Sequence, residues 1–263
     1  MPLRKESGLT SLQIPGGRTV LIDNRVGSAP ADTTLLSFAR GGTEEGYTVI
    51  SDFADGAPQG SHSIPCLHIC TLLRPGKHVE LAGVIRMMGT LSACHAIERN
   101  SDTHTLIRWL GDIYPEHNRF SFTPVRRIAA VDSESLLLPS GYLDYMLLHV
   151  MVEMPESRFP VRMVDAVTRI FTSRPITNAD HVTQDFLHDF FGMYDPLMHG
   201  GTDGLAFMDE YKRRSLLLGR RVRFRANEKK MRGRAITVQP SGLLTVRTQS
   251  GKEYHLSSPT FLL

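Results

Sequence analysis

Seven residues, Arg108-Trp-Leu-Gly-Asp-Ile-Tyr114, gather a guanidinium, the chain's single indole, a carboxylate and a phenol within one short stretch. That density of charged and aromatic groups reads as the centre of a small-molecule site placed at a strand end. Each member also has an ordinary structural reading. A tryptophan on a strand is commonly core, and an acid following a buried strand commonly serves a turn. Arg126 and Arg127 read equally well as a surface pair. Cys66, His68 and Cys70 alternate and would face one side of a strand, which is a metal-like pattern. A zinc site takes ligands from two segments at tetrahedral angles. No second pair is visible along the chain, so no metal is expected there. His188, His199 and the other histidines form no pattern.

Hydrophobic periodicity gives the elements that must position these groups. Thr19-Val-Leu-Ile22 and Tyr47-Thr-Val-Ile50 read as strands, and 66–73 as a buried strand. A helix is predicted over 31–40, ended by Gly41-Gly42. The longest helix signal runs over about 79–99, with Leu81, Val84, Ile85, Met88, Leu91 and His95 as one stripe. Gly83 and Gly89 inside it each cost roughly 1 kcal/mol against alanine, so close packing on a sheet is the expected reason for them. Strands follow near 105–109, 125–131 and 142–152, then helices near 161–172, 179–194 and 204–214. Residues 1–17 are polar and read as a tail. From Gly219 onward, strands punctuated by Gly233, Gly242 and Gly251 indicate a small β-barrel or sandwich. Strands in runs, rather than strict alternation with helices, predict an α+β fold. The expected boundary leaves a body of 1–214 and a module of 215–263.

Composition narrows the class. The chain has 263 residues, 41% hydrophobic and 22% charged, as in soluble globular proteins. No apolar run reaches membrane-spanning length, and the N-terminus does not read as a signal peptide. Three cysteines suit a reducing compartment, so a cytoplasmic protein is expected. The net charge of +3 conceals an asymmetry: 212–234 carries eleven Lys/Arg against Glu228 alone, a local +10 that leaves −7 for the rest. Such a module suits an anionic partner, and equally a solvated basic β-surface with no dedicated partner. Nucleic acid is not expected, because Phe224 is the only aromatic interleaved in the basic run.

In their order, the 108–114 stretch and the C-terminal module resemble the biotin–protein ligases, which activate biotin with ATP and attach it to a lysine of an acceptor protein. Arg108-Trp-Leu-Gly-Asp112 is similar to that family's Lys-Trp-Pro-Asn-Asp segment, with Leu110-Gly111 replacing Pro-Asn. The resemblance implies that Arg108, Trp109 and Asp112 contact the nucleotide and that Asp112 holds Mg²⁺. Arg127 falls where the family's Lys-Leu-Ala-Gly lysine contacts the reacting carboxylate, which makes Arg127 and Asp112 the implied catalytic pair. Ser28 stands where the family has a Ser-Thr pair against the small-molecule ring, and Gln59 and Gly60 lie in the segment implied to cradle the acid. That segment, 55–65, has no arginine where the family carries Gly-Arg-Gly-Arg-Arg-Gly, and Asp52 and Asp55 would repel phosphate. His149-Val-Met-Val152 falls at the family's Gly-Ile-Gly-Ile-Asn-Val strand without its asparagine. Leu218-Gly-Arg-Arg-Val, Gly233-Arg-Ala, Ser241-Gly-Leu-Leu-Thr-Val and His255-Leu-Ser-Ser follow the family's barrel, while Pro259-Thr-Phe261 replaces the usual Gly-Glu-Val.

The implied fold is a mixed-sheet ligase-like catalytic domain with a small C-terminal SH3-like β-barrel. No helix-turn-helix of the DNA-binding members is expected. The implied cofactors are ATP and Mg²⁺, and the partners biotin or a related carboxylic acid and an acceptor protein with a target lysine; a homodimer is compatible. Exchanging lysine for Arg127 changes a compact ammonium into a planar fork. Together with the missing loop arginines this predicts weak or absent adenylation of biotin. The alternative is a non-catalytic relative acting as a binding or regulatory protein.

Overall fold

The computed structural model describes residues 9–14, 17–25, 44–53, 66–116, 126–154, 178–200, 205–226 and 229–257. The helices expected over 31–40 and 161–172 lie outside them, as do Ser28, Asp55, Gln59 and Gly60.

The body is a mixed α+β structure built on one eight-stranded sheet. Its strands are β1 (Leu9–Gln13), β2 (Thr19–Arg25), β3 (Thr48–Phe53), β4 (Cys66–Leu73), β5 (Thr105–Arg108), β6 (Asp112–Pro115), β7 (Ala129–Leu137) and β8 (Leu143–Glu153). They lie in the order β1-β2-β3-β4-β8-β7-β6-β5. Only β2 and β3 run parallel; every other neighbouring pair is antiparallel. The central strands β4 and β8 are buried along nearly their whole length, which is why both read as almost unbroken apolar runs.

One face of this sheet carries the helices α1 (Leu81–Asn100), α2 (Ala179–Met198) and α3 (Phe207–Arg213). Helix α1 is buried on more than the expected stripe: Met87, Thr90, Ser92, Ala93 and Cys94 are covered too, because α2 packs along its far side. A Cβ on Gly89 would stand 2.9 Å from the Leu148 side chain of β8, so the absent side chain lets helix and sheet approach. Helix α2 is capped by Asn178, which accepts from the His181 amide at 3.1 Å. Its Val182, Phe186, Phe190 and Phe191 are buried, in keeping with their spacing. None of the described helices is long and apolar enough to cross a membrane.

Two strands depart from expectation. Residues 9–13, read as tail, form β1 and pair with β2 from Leu9↔Asp23 to Gln13↔Thr19. As an edge strand it hides only part of one side, so Thr10, Ser11 and Gln13 leave no apolar signature. The other is β6, four residues folded back on β5 by the turn at 109–111. His95, placed on the apolar stripe, sits instead in a charged joint between helices. It bonds Asp189 of α2 at 2.8 Å and Glu210 of α3 at 2.9 Å.

Past α3 the chain hydrogen-bonds once more to the sheet edge, the Leu216 amide donating to the Ile107 carbonyl at 2.8 Å. It then forms a separate four-stranded antiparallel sheet of β9 (Arg221–Ala226), β10 (Lys229–Val238), β11 (Leu244–Thr248) and β12 (Glu253–Leu256), ordered β12-β11-β10-β9. Val222, Phe224, Ala235, Leu244 and Val246 face inward, while the arginines of β9 face outward.

Candidate functional site

The sheet face opposite the helices holds the groups that can do chemistry. Directly paired residues on neighbouring strands point to the same face. The register therefore aligns Arg108 and Asp112 with Ala130, Met151, His68 and Ser51 in one row across six strands. The next row holds Asp132, His149, Cys70, Val49 and Asp23. Among the described residues this face has its own apolar cluster of Val49, Cys70, Leu72, Tyr145 and Leu147, with no helical member.

Asp112 and Arg127 meet: Arg127 Nη1 donates to Asp112 Oδ1 at 2.8 Å. The bond to Asp112 raises the Arg127 pKa further above its ordinary value, against partial burial. The guanidinium is 53% exposed and the carboxylate 29%, so the pair contributes about 0–1 kcal/mol to stability. An anionic ligand could therefore displace Asp112 from Arg127 at small cost. With Arg127 bound, Asp112 offers one remaining oxygen beside a full positive charge. That is a poor fit for a resident Mg²⁺, which favours carboxylates together with substrate phosphates in octahedral geometry.

Arg108 is exposed and lines a groove of about 460 Å³ with Leu106, Tyr114, Leu217, Arg220 and Arg221, between the β5–β6 edge and the small sheet. Three arginines in one groove suit an anion. Trp109 does something else. It is 1% exposed and its Nε1 donates to the Gly242 carbonyl at 2.8 Å, tying the β5–β6 turn to the turn between β10 and β11. The indole presents almost no surface to a ligand. Its peptide bond to Leu110 is cis. The Leu110 carbonyl accepts the buried Tyr211 hydroxyl at 2.7 Å. Gly111 is required locally, since a Cβ would lie 2.0 Å from the Val131 carbonyl oxygen.

The sequence pattern conceals one constellation. His149 of β8 stands opposite Cys70 and brings its ring to His68, with His68 Nε2 and His149 Nδ1 3.2 Å apart. The second segment that a metal site needs is present after all, on a strand 79 residues away from Cys70. The His149-x-Met151 alternation matches His68-x-Cys70, but only the strand register places the two side by side.

No family model matches this sequence. No curated protein matches it either. Solved structures do. A biotin protein ligase from Aquifex aeolicus in complex with biotin and ATP is 15% identical with a TM-score of 0.62, covering 92% of this chain and 97% of that one. A single-residue variant of the Aquifex aeolicus ligase, in complex with biotin, is 16% identical with a TM-score of 0.66 over 92% of this chain and 97% of that one. A biotin protein ligase-like protein of unknown function from Silicibacter sp. is 12% identical with a TM-score of 0.65, covering 94% of this chain and 96% of that one. This chain has the biotin protein ligase-like fold.

Proposed function

We propose that the protein binds a biotin-class carboxylic acid, and the nucleotide that would activate it, on the helix-free face of the large sheet, with acyl-adenylate formation much reduced. The observation that carries this reading is the placement of Arg108, Asp112 and Arg127 at one edge of that face, beside a groove completed by Arg220 and Arg221. Fixed cations at that edge can hold a phosphate or a carboxylate in place, which is most of what an adenylating site requires. Arg127 would hand its bond from Asp112 to the ligand. Mg²⁺ would enter with ATP, held chiefly by phosphate oxygens. An acceptor protein with a target lysine is the partner of the active form, and a reducing, cytoplasmic setting suits the three free cysteines.

Reduced chemistry follows from what is missing. The segment 55–65 supplies no arginine, Trp109 is committed to the small sheet, and a lysine is exchanged for Arg127. Phosphate contacts in a closed site are worth several kcal/mol of transition-state stabilisation, and each 1.36 kcal/mol is about tenfold in rate. The second reading, a binding or regulatory protein without catalysis, is favoured by the buried, hydrogen-bonded state of Trp109.

Mixing the purified protein with ATP, Mg²⁺ and biotin or lipoate, and following acyl-AMP and pyrophosphate, separates the readings. Slow turnover with measurable binding is expected. Rapid acyl-AMP formation would refute the reduced-activity reading, and no binding of ATP or of either acid would refute the ligase-like reading altogether.

A further inference from the structure

We propose that His68, Cys70 and His149, with Met151 beside them, bind one thiophilic first-row transition-metal ion, copper or zinc. The inference is independent of the acid-binding reading, since it concerns a different set of donors in the middle of the same face.

Two strands supply the ligands in matching alternation, His68-x-Cys70 on β4 and His149-x-Met151 on β8. The pairs Cys70↔His149 and His68↔Met151 make the four residues a square patch on one face. One donor atom from each of His68, Cys70 and His149 lies within 4.8 Å of the others. All three residues are buried, at 3%, 0% and 7% exposure. The two imidazoles lie nearly parallel with centroids 5.4 Å apart, and Cys70 Sγ is 4.0 Å from His149 Nε2. Two nitrogens bonded to one tetrahedral ion at about 2.05 Å stand about 3.3 Å apart. The His68 and His149 nitrogens stand 3.2 Å apart and share a hydrogen bond, whose proton a metal ion would replace. Cys70 Sγ faces the other His149 nitrogen, Nε2, so for one ion to be shared by all three residues these side chains must rotate from the arrangement seen, over donor separations of no more than 4.8 Å.

The surroundings favour an ion. Placing two imidazoles and a thiol among Val49, Leu72, Tyr145 and Leu147 has a desolvation cost that a bound cation would offset. Ser51, paired directly with His68, points its buried hydroxyl to this face with no hydrogen-bond partner among the described residues. The carboxylates in the same row as Cys70 and His149 bond elsewhere, Asp132 to Arg86 and Asp23 to the Tyr47 hydroxyl. A set of two imidazoles, a thiolate and a neighbouring thioether selects copper or zinc over Mg²⁺, Ca²⁺ or Mn²⁺. Both strands are central and packed, so the backbone that carries the ligands is held rigidly.

The test is metal content and spectroscopy of the full chain. After dialysis without chelator, elemental analysis should find about one copper or zinc ion per chain, the site stoichiometry that three ligands to one ion require. Metal-free protein reloaded with Cu(I), Zn²⁺ or Co²⁺ should bind one equivalent, and competition with chelators of known affinity decides between copper and zinc. The Co²⁺ form should show thiolate-to-metal charge-transfer absorption. Cys70→Ser should abolish that band and weaken binding by about 100-fold or more, and His149→Asn should weaken it comparably. Metal should raise the thermal midpoint of wild type and raise that of metal-free, folded Cys70→Ser clearly less. Failure of wild type to retain any of the three ions at stoichiometric level overturns the proposal. Retention undiminished in both variants overturns it equally.

Discussion

Replacing Gly83 with alanine sets two known effects against each other. In an ordinary helix interior the change gains about 1 kcal/mol. Gly83, however, lies where α1 meets the turn between β10 and β11: a Cβ would stand 2.1 Å from the Ser241 carbonyl oxygen, 2.7 Å from its carbon and 3.0 Å from Gly242 Cα. The obstacle is backbone, which no rotamer change relieves, and Gly242 is fixed in place by its positive φ of 85° and by its bond from Trp109. Overpacking of this kind costs about 1–3 kcal/mol or more, so after the propensity gain the net effect is a loss of up to roughly 2 kcal/mol, or up to about 8 °C in Tm. Gly192→Ala in α2 is the control, because nothing lies within 4 Å of where its Cβ would stand; it should stabilise by up to about 1 kcal/mol. Thermal and urea denaturation followed by circular dichroism give the two values. Fluorescence of the single tryptophan reports on the docking itself, since Trp109 spans the joint. Gly83→Ala should shift its emission to the red under native conditions, whereas Gly192→Ala should not. A Gly83→Ala protein as stable as Gly192→Ala, with unchanged emission, would refute the claim that this contact fastens the small sheet to the body.

Trp109→Phe removes the donor to the Gly242 carbonyl and part of a buried ring. An orphaned buried acceptor costs about 1–3 kcal/mol, so urea denaturation should show a loss of roughly 2–3 kcal/mol once the lost packing is added. The His95 joint gives a pH dependence. The bond to Asp189 holds the His95 pKa above its ordinary value, with Glu210 adding to it. Its contribution is therefore complete below about pH 6.5, the ordinary histidine value, and is lost as pH rises through the raised folded value. Burial would raise Asp189 and Glu210, but their bonds to His95, Arg99 and Arg214 outweigh it and lower both, so their contribution is lost as pH falls through those depressed values. His95→Gln should flatten the stability profile above pH 6.5, and an unchanged slope would show that His95 is not the titrating group.

The body is legible in the sequence where burial imposes an unbroken or periodic apolar pattern. Residues 66–73 read as a strand at their observed bounds because both faces are covered, and the reason for Gly89 follows from helix-on-sheet packing. Gly83, expected to pack closely on a sheet, meets the turn between β10 and β11, a partner that local pattern does not identify. β1 leaves no signal because an edge strand needs few apolar residues, and His95 misleads because a charged joint between helices has the same spacing as a core position. Of the candidate site, the resemblance singles out Arg108, Asp112 and Arg127; the β5–β6 register sets Arg108 opposite Asp112, and Arg127, just before β7, bonds Asp112. The His68, Cys70 and His149 cluster is invisible for the same reason: its halves lie far apart in sequence and become neighbours only when β4 pairs with β8.

Calorimetric titration with a non-hydrolysable biotinyl-adenylate analogue, for wild type and Arg108→Ala, asks most directly whether this face holds an activated acid. Saturable wild-type binding is predicted, weakened about 10–100-fold by loss of the guanidinium, as expected for a charge-assisted hydrogen bond worth about 1.5–3 kcal/mol. Absence of binding at millimolar analogue, or equal affinity in the two proteins, would contradict the account.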